Sequence, residues 1–186
     1  MRTPGIICAT VITVALASLC ACTGAGRAQA DSERDLAAAP QSGEFGAVSA
    51  VTVTFSEQAQ QLAATDPRLT PDAVAIAIEH ELQLHQLYAP AAANVHRSLA
   101  IIVQNFTNAL ASNTKVLGYT YRNVMLNGTV QVQDAAAAGQ PAFDVHARVR
   151  ISSRGSDAEG GSLTPLFTRF AVVTVAAVRG VEPPAP

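Results

Sequence analysis

Ala142-Phe143-Asp144-Val145-His146-Ala147-Arg148-Val149-Arg150-Ile151-Ser152 is the stretch that decides how this chain folds. Phe143, Val145, Ala147, Val149 and Ile151 take alternate positions, and Asp144, His146, Arg148, Arg150 and Ser152 fill the places between them. A period of two sends the first set to one side of a pleated strand and the second to the other. The stretch therefore predicts a strand with one buried face and one polar face.

Upstream, the same period recurs. Val51, Val53 and Phe55 alternate with Thr52 and Thr54, which predicts a first strand. Residues 56–64 are polar and fit either a helical turn or a loop. Thr70-Pro71-Asp72 then has the chemistry of a helix start. The threonine hydroxyl can accept from an early backbone N–H, proline suits the first turn, and aspartate complements the positive end of the helix dipole. That helix is expected over 70–88, ending before Pro90. Its apolar sector holds Val74, Ala77, Ile78, Leu82, Leu84 and Tyr88, with Glu81 and His85 pointing into the middle of it. Residues 97–107, with the continuous run Leu99-Ala100-Ile101-Ile102-Val103, predict a central strand buried on both faces. Residues 115–125 and 129–134 predict two more strands. Asn127-Gly128 between them reads as a hairpin turn or as a bulge in one longer strand.

Downstream, 154–161 is a polar loop. Thr164-Pro165 repeats the cap-and-proline start, and a helix over 166–179 is expected to end at Gly180. The Val and Thr content of that segment would also suit a strand. The expected fold is α+β: an antiparallel sheet of about four to five strands with two helices packed on one face. The expected organisation is a signal peptide over 1–21, a flexible tether over 22–46, one domain over 47–182 and a disordered tail over 183–186.

All three cysteines, Cys8, Cys20 and Cys22, lie in the first 22 residues. Met1-Arg2 provides one positive charge, residues 6–19 are uncharged and mostly apolar, and small residues follow. This is the layout of a secretory signal, and its apolar run is shorter than the roughly 20 residues that span a bilayer. Two processing outcomes compete. Ala28-Gln29-Ala30 is a small-x-small cleavage site that would release a soluble product starting at Asp31. Cleavage before Cys22 removes only Arg2 among the charges, leaving 11 Lys+Arg against 14 Asp+Glu. That balance lacks the basic footprint of a nucleic-acid binder. A mature chain with so few cysteines carries neither a disulfide framework nor a Cys-based zinc site.

Leu19-Cys20-Ala21-Cys22-Thr23-Gly24 resembles the bacterial lipoprotein box. The resemblance implies that Cys22 becomes the first residue and carries the lipid. Thr23 in place of aspartate after it implies the outer membrane, facing the periplasm. Ser98-Leu99-Ala100-Ile101-Ile102-Val103-Gln104-Asn105-Phe106 and Leu126-Asn127-Gly128-Thr129-Val130-Gln131-Val132-Gln133-Asp134 look like strands of small envelope lipoprotein families. Those families include uncharacterised ones and domains near the curli-secretion and Tol-assembly type, which implies an accessory or assembly role without catalysis.

Candidate chemistry is sparse. His80 and His85 are five residues apart, about 140° round a helix, whereas one metal needs histidines four apart. Glu81 and His85 are four apart and form a candidate pair, structural or acid–base. His146, Arg148 and Arg150 form a row that could meet an anionic headgroup, a phosphate or an acidic partner. There is no Gly-x-Ser-x-Gly elbow and no phosphate-binding glycine loop. No cofactor and no metal are expected.

Three classes of function are therefore weighed. One is a lipid-anchored, non-catalytic binding or assembly module with a membrane and envelope proteins as partners. The others are a soluble periplasmic or secreted binding protein and a small envelope hydrolase using Glu81 and His85.

Overall fold

In the computed structural model, the residues described are 28–29, 46–90, 95, 97–110, 118–134, 142–154 and 161–185. The leader, with Cys22 and the small-x-small site's Ala30, lies outside them. The elements run β1 (Ala28–Gln29), β2 (Ala50–Phe55), α1 (Glu57–Ala63), α2 (Pro71–Leu84), β3 (Arg97–Leu110), β4 (Tyr119–Asp134), β5 (Ala142–Arg154) and α3 (Thr164–Val178). The class is α+β, as expected.

Four strands make the body of the sheet, in the order β5-β4-β3-β2, and the two-residue β1 adds to the β5 edge. The sheet is mixed, which corrects the antiparallel expectation. β3 is antiparallel to β4, and β4 to β5, but β2 runs parallel to β3, with Val51 opposite Leu99 and Phe55 opposite Val103. The reason is the connection. Two helices separate β2 from β3, and they carry the chain back to the end of the sheet from which β2 started. Among the described residues there are three helices rather than two, because 56–64 resolves into a helical turn. Ser56 caps α1 by accepting from the Ala59 N–H at 3.2 Å.

Asn127-Gly128 is not a turn. β4 runs through it without a break, so the two predicted strands are one. The irregularity falls on the partner strand, between Val103 and Asn105 of β3. Glycine is used here for close approach. A Cβ on Gly128 would sit 3.1 Å from the Ile102 carbonyl oxygen and 3.1 Å from the Phe170 ring. The missing side chain lets α3 lay Phe170 directly on the sheet.

Among the described residues, the helices lie on one side of the sheet. Leu99, Ile101 and Val103 of β3, Val124, Leu126, Val130 and Val132 of β4, and Phe143, Val145, Ala147, Val149 and Ile151 of β5 are buried beneath them. Val74, Ile78 and Leu82 form the buried row of α2, four residues apart. Leu84 is 65% exposed, outside the apolar sector expected of it. Ten of the fifteen residues of α3 are buried, so burial overrides the strand preference of its Val and Thr residues.

Both long helices end in the same motif. At α3, Gly180 is left-handed (φ 66°), its N–H donates to the Ala177 carbonyl and the Val181 N–H to Ala176. At α2, the left-handed residue is Gln86 (φ 57°), whose N–H donates to Gln83, with Leu87 donating to Leu82. These paired bonds satisfy terminal carbonyls. They also end α2 earlier than expected and turn the chain toward β2, where Val48 N–H donates to Leu87 and Ala89 N–H to Val48. The start of α3 differs from the expected cap. Leu163 is the N-cap residue, and the Thr164 N–H donates to Ser162 Oγ at 3.2 Å.

Candidate functional site: the open face of the sheet

With the helices on one side, the other side of the sheet is where the polar row of β5 lies. Register fixes the neighbours. Thr54, Ile102, Thr129 and Asp144 line up across β2, β3, β4 and β5. Asn127 faces His146, Met125 faces Arg148, Asn123 faces Arg150, and Tyr121 faces Ser152. These are directly opposed side chains on one face.

The contacts divide this face in two. Toward the β3 side, Gln104 Nε2 donates to Thr129 Oγ1 at 2.6 Å, and that hydroxyl donates to Asp144 Oδ1 at 2.8 Å. Ile102, beside them, is 48% exposed. On the β5 side, the Arg148 Nε–H points at Met125 Sδ at 3.2 Å, and the Arg150 guanidinium stacks over the Tyr121 ring at 4.5 Å from its centre. These contacts lay both half-buried side chains along the sheet. His146 is exposed. Among the described residues of this face, Asp144 is the only acid.

Glu81 and His85 lie elsewhere, at the ends of the helices. His85 Nε2 is 3.1 Å from Glu81 Oε1, and Arg179 Nη1 donates to His85 Nδ1 at 3.3 Å. Arginine has no acceptor, so Nδ1 is the lone-pair nitrogen and Nε2–H faces the carboxylate. Glu81 is largely covered (13% exposed side chain), whereas His85 is not (38%), so the expected burial holds for the carboxylate alone. Both ring nitrogens are engaged within this trio. The trio ties the C-cap residue of α2 to the C-cap residue of α3, with Arg179 near the negative ends of two helix dipoles. His80 is exposed on the outer side of α2. The structure thus brings together Glu81 with His85, and His146 with Arg148 and Arg150, but it does not join the two groups.

A buried charge cluster stands at the opposite end of α2 from His85. Asp66 is 5% exposed, and Arg68 grips it with Nε at 2.7 Å and Nη2 at 2.6 Å, one to each carboxylate oxygen. Asn108 Nδ2 reaches the same carboxylate at 3.5 Å. Arg68 Nη1 donates to the Gly161 carbonyl at 2.6 Å, so the fork also holds the approach to α3. The Arg68 hydrogen bond holds the Asp66 carboxyl below its ordinary value of 3.8, against the upward push of burial, and nearby Arg122 adds to the lowering. The same bond raises Arg68. Sequence reading missed this cluster. The local spacing Asp66-Pro67-Arg68 hints at a turn, but Gly161 and Asn108 are remote in the chain. Tyr88 is a smaller case: burial, then Glu79, pushes its hydroxyl above 10.0.

No helix among the described residues is long and apolar enough to cross a membrane. Among the described residues, no group of three or more His, Cys, Asp or Glu side chains could hold a metal ion.

No protein-family model matches the chain, and no curated protein is significantly similar to it. Among solved structures it is similar to a PelC dodecamer from Paraburkholderia phytofirmans, at 11% identity and a TM-score of 0.44, over 84% of this chain and 98% of that one. It is also similar to a minor lipoprotein from Acinetobacter baumannii, at 12% identity and a TM-score of 0.39, over 66% of this chain and 86% of that one. At these identities and TM-scores the likeness carries no functional assignment.

Proposed function

We propose that this chain is an exported envelope protein, anchored through a lipid on Cys22 at the outer membrane and facing the periplasm, whose domain serves as a non-catalytic binding or assembly module. The observation that carries the binding role is the one-sided packing of the sheet. Three helices cover one face, while among the described residues no element packs on the other, where Ile102 is half-exposed in line with Thr129 and Asp144 and the Arg148–Arg150 row lies farther along β5. A face of that kind, apolar spot and charged rim together, suits contact with another macromolecule.

The anchoring part rests on the leader. A charged start, a short apolar run and Leu19-Cys20-Ala21-Cys22 support processing at the second cysteine. The fold adds an argument. Processing at Cys22 keeps β1 in the mature protein, whereas cleavage after Ala30 removes the Ala28–Gln29 strand that pairs with β5.

Two measurements test the reading. Mass spectrometry of the mature amino terminus should find an acylated Cys22, and palmitate labelling should vanish in Cys22→Ser. A free Asp31 terminus would instead favour the soluble product. For the binding role, a photo-crosslinker at Asn127 on the open face should capture an envelope component in intact cells. The same group at His80, on the helix side, should capture none; equal capture at both positions rejects the open face as the contact.

A further inference from the structure

β2 is the last strand at one side of the sheet, and among the described residues no strand pairs with its outer edge. The phase of its backbone says which groups that edge presents. The Val103 carbonyl accepts from the Ser56 N–H at 2.9 Å and the Ile101 carbonyl from Thr54 Oγ1 at 3.5 Å, so these β3 carbonyls face β2. In that phase the N–H and C=O of Thr52 and Thr54 turn inward, and those of Val51, Val53 and Phe55 turn outward. The phase slips by one residue at Ser49, whose N–H also turns inward, to Arg97. The chain itself occupies both ends of the outer edge. Val48 donates to Leu87 and accepts from Ala89, and the Phe55 carbonyl accepts from Gln60 Nε2 at 3.0 Å. Between those ends, the outward groups of Val51 and Val53 have no partner among the described residues. Exposed edges are ordinarily blunted by charge or proline. Residues 46–56 contain neither, whereas β5 at the opposite edge carries Asp144, His146, Arg148 and Arg150 and is paired by β1.

We propose that the outer edge of β2 pairs antiparallel with β2 of a second copy of this chain, about a two-fold axis through Val53. The inference is independent of the lipid anchor and of the open-face contact proposed above. With the axis at Val53, Val51 faces the partner subunit's Phe55 and Val53 faces its own counterpart, so outward groups meet outward groups. Each pair exchanges two N–H···O bonds once Gln60, an exposed side chain, releases the Phe55 carbonyl. The side chains agree with this register. Val51, Val53 and Phe55 are half-buried, and the pairing sets a β-branched residue against an aromatic one. On the open face the exposed Thr52 meets the partner subunit's Thr54. An axis through Thr52 would instead set Val48 level with the partner subunit's Ser56 and drive that strand into the 87–89 segment. With the axis at Val53, Val48 falls level with position 58, beyond the partner's strand end. Charge selects a second copy as the occupant. A two-fold contact sets like against like and so tolerates charge least, and this edge has none. The contact is small against the roughly 1,200 Å² of a stable interface, so the dimer is weak and reversible. Because the axis stands perpendicular to the sheet, the open faces of both copies lie on the same side and form one wider surface.

The test is sedimentation velocity of the processed protein, purified from its host in detergent, at about 0.05 M salt and over concentrations from about 1 μM to about 1 mM. The parent should shift from monomer toward dimer as concentration rises. Thr52→Lys/Thr54→Lys sets lysine against lysine across the axis and should stay monomeric throughout. Thr52→Glu/Thr54→Glu should do the same. An equal mixture of the two variants sets lysine against glutamate and should dimerise at least about tenfold more tightly than either alone. Thr52→Lys/Thr54→Glu carries the opposite charges within one chain, in an arrangement that only the Val53 axis makes attractive, and should dimerise by itself. The mixing arm guards against a folding defect, which mixing does not repair. A parent that stays monomeric to the highest concentration overturns the inference. So does dimerisation of the two like-charged variants at the parent's strength, which would place the contact on another surface. A mixture that remains monomeric overturns the edge pairing, and a monomeric Thr52→Lys/Thr54→Glu overturns the Val53 register.

Discussion

Arg68 closes a two-pronged grip on Asp66, with Nε on one carboxylate oxygen at 2.7 Å and Nη2 on the other at 2.6 Å, and then reaches across 93 residues of chain to the Gly161 carbonyl. One guanidinium thus fixes the turn before α2 and the approach to α3 together. Removing the carboxylate leaves the cation without its partner in a covered site. Asp66→Ala should lower stability by about 2 kcal/mol in urea unfolding, less than a fully buried pair because the Arg68 side chain is 35% exposed.

The same pair sets an acid limb. The folded Asp66 carboxyl titrates below its ordinary 3.8, so the unfolded chain binds more protons at this position in that window. Its contribution is fully present above the unfolded value and is lost as pH falls through the lowered folded one. Unfolding free energy measured between about pH 6 and pH 3 should therefore fall with acid in the parent and fall less steeply in Asp66→Asn. An identical acid limb in both proteins would exclude this role for Asp66.

Gln86 takes a conformation that favours glycine, at φ 57°. Gln86→Gly should raise stability by about 0.5–1 kcal/mol by relieving Cβ crowding in the left-handed region, less the entropy glycine adds to the unfolded chain. Gly180→Ala, at φ 66°, should lower stability by about 1 kcal/mol. Thermal unfolding of the two variants should move in opposite directions.

Gly128→Ala should destabilise by about 1–3 kcal/mol, because the new methyl meets the Ile102 carbonyl and the Phe170 ring, both at 3.1 Å. Combining it with Phe170→Leu tests the cause. If the ring is the obstacle, the double variant should be more stable than the sum of the single losses predicts. Strict additivity would point to the backbone carbonyl instead.

Ile102→Thr should change stability by less than about 1 kcal/mol, since the side chain is half-exposed and threonine keeps the strand preference. Crosslinking from Asn127 should nevertheless weaken. A large stability loss with crosslinking unchanged would show that Ile102 serves the fold and not a partner.

How much of this was legible in the sequence varies with the range of the interaction. The two faces of β5 were, because alternation is local and every apolar residue from Phe143 to Ile151 is buried as its position required. The start of α2 was also legible, since Thr70 accepts from the Ala73 N–H as its chemistry suggests. Asn127-Gly128 misled, because turn preference is a two-residue property and the reason for that glycine is a phenylalanine over forty positions away. Strand direction was hidden for a similar reason: Val51 and Leu99 have the same alternation whether β2 runs up or down. The row His146, Arg148 and Arg150 could be placed on one face, but its neighbours Tyr121 and Met125 needed the register. The Asp66–Arg68 grip was overlooked because nothing local marks a carboxylate for burial when its other partners, Asn108 and Gly161, come from separate parts of the chain.

The parallel pairing of β2 also bears on the order of assembly. β3, β4 and β5 follow one another as a meander, so their mutual contacts need only short loops to close. β2 meets β3 across 48 residues, through two helices, and that closure carries the larger entropic penalty. A chain synthesised amino terminus first thus releases β2 early and holds it waiting for strands still to arrive. During that interval the Val51-Thr52-Val53-Thr54-Phe55 segment is the part most in need of protection from aggregation.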